Sequence, residues 1–229
     1  ANEARASSLL KGYRIETIPN AIDTGIFLPR PAAPLQQKWQ ITEGKKIILF
    51  GAANIMDRRK GIVYLVEALD HLKNDYPDTE EIEIIIFGKN KAFDVGLLPY
   101  KVHELGTINT QQDMAELYAW ADLVICRAGA LTVAELANVG AASILVPFPF
   151  AVDDHQTTNA TYLQQAGSAL LIQQRDLEVT QLANTLQELD RSICLVMAQK
   201  ARALARPQAT QQVAEICQQL ATAKVNRKT

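Results

Sequence analysis

The segment Cys126-Arg127-Ala128-Gly129-Ala130-Leu131-Thr132-Val133-Ala134-Glu135 carries the residues best suited to work on a ligand. Its small side chains fall where a strand should turn into a helix. There a ligand can approach the backbone, and the free amides of a helix's first turn can hold a pyrophosphate. Glu135 follows a turn later, where a carboxylate can reach ribose hydroxyls. Plainer roles fit the same residues: close helix–strand packing for the small ones, and for Glu135 an acid favoured by the helix dipole. A second stretch, Asp153-Asp154-His155-Gln156-Thr157-Thr158-Asn159-Ala160, is dense in hydrogen-bonding groups that could read sugar hydroxyls. Its acids could equally be N-caps and its amides a solvated face. His155 is a candidate general base, or simply a solvated, hydrogen-bonding histidine. A third stretch, Asp57-Arg58-Arg59-Lys60-Gly61, sets three adjacent cations at a helix start. They oppose the dipole there, so a phosphate would offset them; a solvated turn is the alternative. No Ser-His-Asp order and no Cys-His pair suggests a nucleophile, so no catalytic residue is assigned.

These stretches need elements to position them. The apolar runs 46–51 and 82–88 each end in glycine and read as buried strands. Residues 102–106, 122–129, 142–148 and 168–172 read as four more. Helical patterns separate them: Ile62, Val63, Leu65, Val66, Leu69 and Leu72, then 111–121, 130–140 closed by Gly140, and 153–167. Three amphipathic helices follow, the last two parted by Pro207. Near the start, residues 1–11 read as a short helix and 14–19 as a strand. The proline-rich stretch to Leu35 reads as a linker. Buried strands alternating with helices imply an α/β fold, a doubly wound parallel six-stranded Rossmann-like sheet. Ligands bind such sheets beyond the carboxyl ends of the strands. The first strand leads into Gly51-Ala52-Ala53-Asn54, which is neither a dinucleotide fingerprint nor a Walker loop.

Composition narrows the classes. Among 229 residues, 23 are basic and 25 acidic, a balance that excludes a generic nucleic-acid binder. Cys126, Cys194 and Cys217 are widely spaced with no CxxC, as expected of buried thiols in a reducing compartment. His71, His103 and His155 are too scattered for a metal site, and no DxD pair implies a metal. No apolar window is long enough to span a bilayer, and the first residues lack a signal-peptide core. The expectation is a soluble, cytoplasmic protein.

Two segments resemble known families. YAWADLVICRAGALTVAELA, followed by ILVPFPFAVDDHQTTNATYLQQAG, resembles the donor-binding domain of the bacterial N-acetylglucosaminyltransferases that make lipid II, over roughly residues 111–223. The resemblance implies a GT-B fold and a UDP-sugar donor, UDP-GlcNAc first, with no other cofactor. It implies that Gly129, Ala130, Leu131 and Thr132 face the diphosphate and Glu135 the ribose. His155 and Gln156 would face the sugar, and the backbone near Thr107 and Ile108 the base; Asn159 is a further candidate for the sugar. Residues 1–110, with IETIPNAIDTGIFLP and ILFGAANIMDRRKGIVYLVEAL, resemble the retaining, glycogen-synthase-like glycosyltransferases. There Arg59 and Lys60 would contact the donor phosphates.

Each likeness has a departure. The lipid II family's GGSxGA-type loop is replaced by Gly51-Ala52-Ala53-Asn54, and the retaining family's Glu-x7-Glu has Arg127 at its first position. The chain therefore reads as a hybrid of two related donor domains. Residues 1–35 would be a remnant of an N-terminal domain and its linker, and 36–229 the nucleotide-sugar-binding domain. A separate N-terminal acceptor domain is the implied partner, without which the chain alone would be inactive. Rival readings are a folded scaffold without activity and a sugar-nucleotide epimerase or hydrolase half.

Overall fold

The computed structural model describes residues 2–31, 37–54, 61–75, 81–89, 96 and 98–225. Two compact units emerge, one formed by Ala1–Ile22 with Arg206–Thr229, the other by Asp23–Ala205. The larger unit holds six strands: β1 (Lys46–Asn54), β2 (Ile82–Lys89), β3 (Lys101–Glu104), β4 (Leu123–Cys126), β5 (Ser143–Leu145) and β6 (Ala169–Leu171). They form one sheet in the order β3-β2-β1-β4-β5-β6, every pair parallel. This is the α/β, doubly wound architecture expected from the alternating runs. The order reverses between β1 and β4, so loops leaving those two strands diverge to opposite sides and open a crevice.

In the first unit, the helix α1 spans Asn2–Ala6. The larger unit contributes α2 (Ile62–Asp75), α3 (Gln111–Trp120), α4 (Ala130–Val139), α5 (His155–Gln165), α6 (Val179–Glu188) and α7 (Arg191–Ala203). The first unit ends in α8 (Ala209–Val225). The strand expected over 14–19 does not form; the segment runs without regular structure. A lone apolar run has no stability as a strand without a ladder partner, and every paired strand lies between residues 46 and 171. Among the described residues, no helix is long and apolar enough to cross a membrane.

The strands read as continuous apolar runs because both faces are covered. Ile48 and Phe50 of β1, Ile84 and Ile86 of β2 and Leu123 of β4 join one cluster with residues of α2 and α6. The intervening Ile47, Leu49, Ile85 and Val124 are equally buried, so the other face is also sealed. Local chemistry fixes several helix ends. Thr110 caps α3 by accepting from the Asp113 amide at 3.0 Å, and Asp190 caps α7 by accepting from that of Ile193 at 2.8 Å. Gly140 ends α4 in the left-handed conformation, φ 75°. A Cβ there would lie 3.2 Å from the Ala198 carbonyl of α7, so glycine also permits the helix–helix approach. Lys46, buried at the start of β1, donates from Nζ to Leu186 O at 2.6 Å, near the carboxyl end of α6.

Candidate functional site

The carboxyl ends of β1 and β4 border a cavity of about 220 Å³ at the switch point. Gly51 and Ala52 supply one wall; Cys126, Arg127, Tyr118 and Thr132 supply part of the other. The wall at Gly51 is close to Phe87: a Cβ on Gly51 would sit 2.1 Å from the ring. Only glycine lets the aromatic ring lie against the strand end. Because α4 begins immediately after β4, its N-terminus stands at this crevice. Gly129 is its N-cap in extended conformation, with no side chain to satisfy the first-turn amides. Those amides are therefore left without a side-chain cap, and a helix start of that kind can hold an anion.

Glu135 lies beyond the first turn of α4, which holds no acid. The dipole argument for an ordinary first-turn acid therefore does not apply. The side chain is half-buried, and burial raises its pKa. Among the described residues no cation or hydrogen-bond donor engages its carboxylate. Tyr118 and Cys126, which line the cavity, lie close enough to feel its charge. Burial, and then the neighbouring Glu135, push the Cys126 thiol up to about 12. The Tyr118 phenol is raised well above its usual value for the same first reason, and shares a hydrogen bond with the hydroxyl of Thr132. A carboxylate kept half out of water without a partner is held at a cost that a hydroxyl-bearing ligand would offset.

The stretch 153–160 opens α5, and its geometry decides among the readings offered by sequence. Asp154 occupies the N-cap position but makes no capping bond; its Oδ1 accepts from the Thr157 hydroxyl at 2.7 Å. Asp153 and Asp154 both have left-handed backbones, φ 51° and 49°. Non-glycine residues adopt this region at a cost, and such strain collects at functional loops. Replacing Asp153, whose side chain makes no hydrogen bond, by glycine is expected to raise stability by about 0.5–1 kcal/mol, read in a urea titration.

The next three residues face different tasks. His155 donates from Nδ1 to Val152 O at 2.8 Å, since a carbonyl only accepts. Neutral His155 thus presents Nε2 to solvent as an acceptor. Gln156 accepts from the Phe148 amide through Oε1 at 2.9 Å, which leaves its NH2 group as the donor end of the side chain. Asn159 donates from Nδ2 to Ala128 O at 3.0 Å, so one of its amide hydrogens holds the β4–α4 turn. That bond ties the start of α4 to α5.

Thr107 and Ile108 lie in the loop between β3 and α3, Thr107 exposed and Ile108 half-buried. Gly106 turns this loop with φ 62°, and its carbonyl accepts from Gly88 N at 2.6 Å. The structure thus brings Gly129, Ala130, Leu131, Thr132, Glu135 and Asn159 together around the start of α4. Among the described residues, Thr132 alone of those expected lines the cavity; Thr107 and Ile108 lie in the β3–α3 loop, and His155 and Gln156 open α5. Arg59 and Lys60 lie outside the described residues.

Sequence reading treated Arg127 only as a departure from a family pattern. In the structure it reaches from the end of β4 to the Val146 and Pro147 carbonyls, both at 3.0 Å from Nη1. Its Nη2 donates to Gln174 Oε1 at 2.6 Å, and its guanidinium lies 5.8 Å from the centre of the Phe148 ring. Nothing local marks that reach, because the partners lie 19 to 47 residues away.

This geometry has known counterparts. Residues 60–220 match the glycosyltransferase family 28 C-terminal domain. The chain belongs to that family. A UDP-N-acetylglucosamine–N-acetylmuramyl-(pentapeptide) pyrophosphoryl-undecaprenol N-acetylglucosamine transferase of Cupriavidus metallidurans is 59% identical over 115 residues, covering 50% of this chain and 32% of that protein. The transferase of the same name from Burkholderia mallei is 44% identical over 174 residues, 75% of this chain and 42% of its own length. The chain thus spans less than half of these relatives. Among solved structures, Acinetobacter baumannii MurG shares 32% identity with a TM-score of 0.61, covering 85% of this chain and 55% of that one. WaaG, a glycosyltransferase involved in lipopolysaccharide biosynthesis, aligns with a TM-score of 0.65 at 20% identity, covering 87% of this chain and 55% of its own, which shows a shared fold. The family match begins at residue 60, so the likeness reaches well before residue 111.

Proposed function

We propose that this family 28 domain is the donor-binding half of a glycosyltransferase that takes a UDP-sugar, UDP-GlcNAc first, for transfer to a cell-envelope acceptor. The observation that carries this reading is the uncapped start of α4 at the switch point, with the unpartnered Glu135 on the same helix. The diphosphate would lie on the Gly129–Thr132 amides, with Arg59 and Lys60 as candidate counter-charges. Glu135 would accept from the ribose hydroxyls, and the base would lie by Thr107 and Ile108.

The sugar would meet a complementary pair: an acceptor at His155 Nε2 and a donor at the Gln156 amide. Adjacent sugar hydroxyls, each both donor and acceptor, fit such a pair. Asn159 acts indirectly in this arrangement, by fixing the Ala128 carbonyl. The acceptor would be presented by a further domain, of which residues 1–35 are read as the remnant and linker. The relatives' greater length leaves room for it.

Isothermal titration of the folded chain with UDP tests this. Binding in the millimolar range or tighter is expected, with a matching rise in melting temperature as ligand is added. A cooperatively melting chain that gives neither heat nor shift with millimolar UDP overturns the reading in favour of an inactive scaffold.

A further inference from the structure

The connection from β5 leads into α5, whose second residue is Gln156, yet the connection is long and strained. It holds Phe150 and Val152, 80% and 74% exposed, and the left-handed pair Asp153 and Asp154. Exposed apolar side chains and unfavourable backbone angles give such a loop little reason to keep one shape. Its root is nevertheless tied from outside. Arg127 binds the carbonyls of Val146 and Pro147, and the next residue, Phe148, gives its amide to Gln156 Oε1. The other arm of the guanidinium ends on Gln174, in the short 3-10 turn Gln174–Asp176 after β6. The neighbouring Gln173 donates to Thr157 Oγ1 at 3.0 Å, one residue beyond Gln156. Both routes from Arg127 therefore converge on the first turn of α5.

Resting on the donor-binding reading above, we infer that Arg127 is a positioning residue for sugar recognition. It fixes the Phe148 amide, which orients the Gln156 side chain so that its NH2 group, and not its oxygen, faces the sugar. Arg127 lines the cavity, but at least three of its donors are committed to protein oxygens. Its contribution falls on the sugar and not on the nucleotide diphosphate. Lysine keeps the charge but cannot span two carbonyls and an amide oxygen in one plane.

Titration of the intact chain with UDP and with UDP-GlcNAc separates the two terms. The unsubstituted chain is expected to bind UDP-GlcNAc about tenfold more tightly than UDP. In Arg127→Lys that ratio should fall to about one, while the UDP affinity stays within about threefold. Gln156→Leu should give the same loss, and the double variant no further loss, because the two residues act in series. A ratio that survives in Arg127→Lys overturns the inference. So do additive losses in the double variant, or UDP binding weakened as much as UDP-GlcNAc binding, which would make Arg127 a direct phosphate ligand. Should Arg127→Lys fail to melt cooperatively, Gln174→Leu removes a single anchor; a partial loss of the ratio supports the inference and an unchanged ratio overturns it. An unsubstituted chain that binds both ligands equally overturns this inference alone. One that binds neither overturns the donor-binding reading and this inference with it.

Discussion

Replacing Glu83 by alanine should cost about 2–4 kcal/mol of folding stability, measured by urea unfolding. Glu83 stands at the start of β2 with its side chain 3% exposed. It accepts from His103 Nε2 at 2.6 Å, Lys101 Nζ at 3.2 Å and the Thr42 amide at 3.2 Å. Register explains the meeting. Glu83 and Lys101 are partners across β2 and β3, and the two-residue period of a strand turns His103 to the same face. Alanine would remove the acceptor of all three donors, of which the His103 ring, 10% exposed, has least access to water as a substitute. Lys101 is half-exposed and can turn outward, which keeps the cost below that of a fully buried pair.

Glu83 also fixes how stability depends on pH. Burial by itself would raise the carboxyl. The hydrogen bonds from Thr42, His103 and Lys101 outweigh it and hold the pKa at about 2. A folded pKa below the unfolded one means that the unfolded state binds more protons in the acid range. The stabilisation is fully present above the ordinary carboxylate range. It is lost as pH falls from about 4.5 toward 2, and amounts to roughly 2–3 kcal/mol. Glu83→Gln should flatten that acid limb of the stability curve. An unchanged limb in the variant would assign the acid sensitivity to other carboxylates, with the paired Asp113 and Glu116 the next to substitute.

Glu135 should behave in the opposite sense. Its carboxylate is half-buried and unpartnered, and burial raises its pKa, so the ionised form is a burden on the folded state near neutral pH. Glu135→Gln is expected to raise the melting temperature at pH 7 and to lose that advantage as the pH falls and the carboxyl protonates. In the same variants UDP binding should weaken: Glu135→Ala by about 1–3 kcal/mol, a factor of roughly 5 to 150. Stability gained and affinity lost in one substitution is the signature of a group kept for a ligand. A substitution that lowers the melting temperature and leaves UDP affinity alone would make Glu135 a structural residue and remove the ribose contact from the proposed site.

Chain order and local pattern were enough to read the strands of the sheet and the helices between them. Each strand buried on both faces must be apolar throughout, and each helix buries one stripe, so both leave a local imprint. The start of α4 was legible for the same reason. Small residues, an uncapped glycine and an acid on one helix are all neighbours in sequence. The stretch 153–160 was only half legible. Its residue types announced hydrogen bonding, but that Gln156 Oε1 meets the Phe148 amide and that Asn159 Nδ2 meets the Ala128 carbonyl are not marked locally. Likewise, capping was one of two roles open to the acids before α5; Asp154 takes the N-cap position, but with a left-handed backbone and no capping bond.

What only the tertiary structure decided are the arrangements closed between distant parts of the chain. Sheet order placed the crevice between β1 and β4. Register brought Glu83 beneath Lys101 and His103. The convergence of strand ends let Arg127 grip residues 146, 147 and 174. The want of a ladder partner left residues 14–19 without strand structure. A side chain's local pattern records whether it is buried, because burial recurs with the period of its own element. It does not record which distant group it meets, because that is set by how whole elements stack.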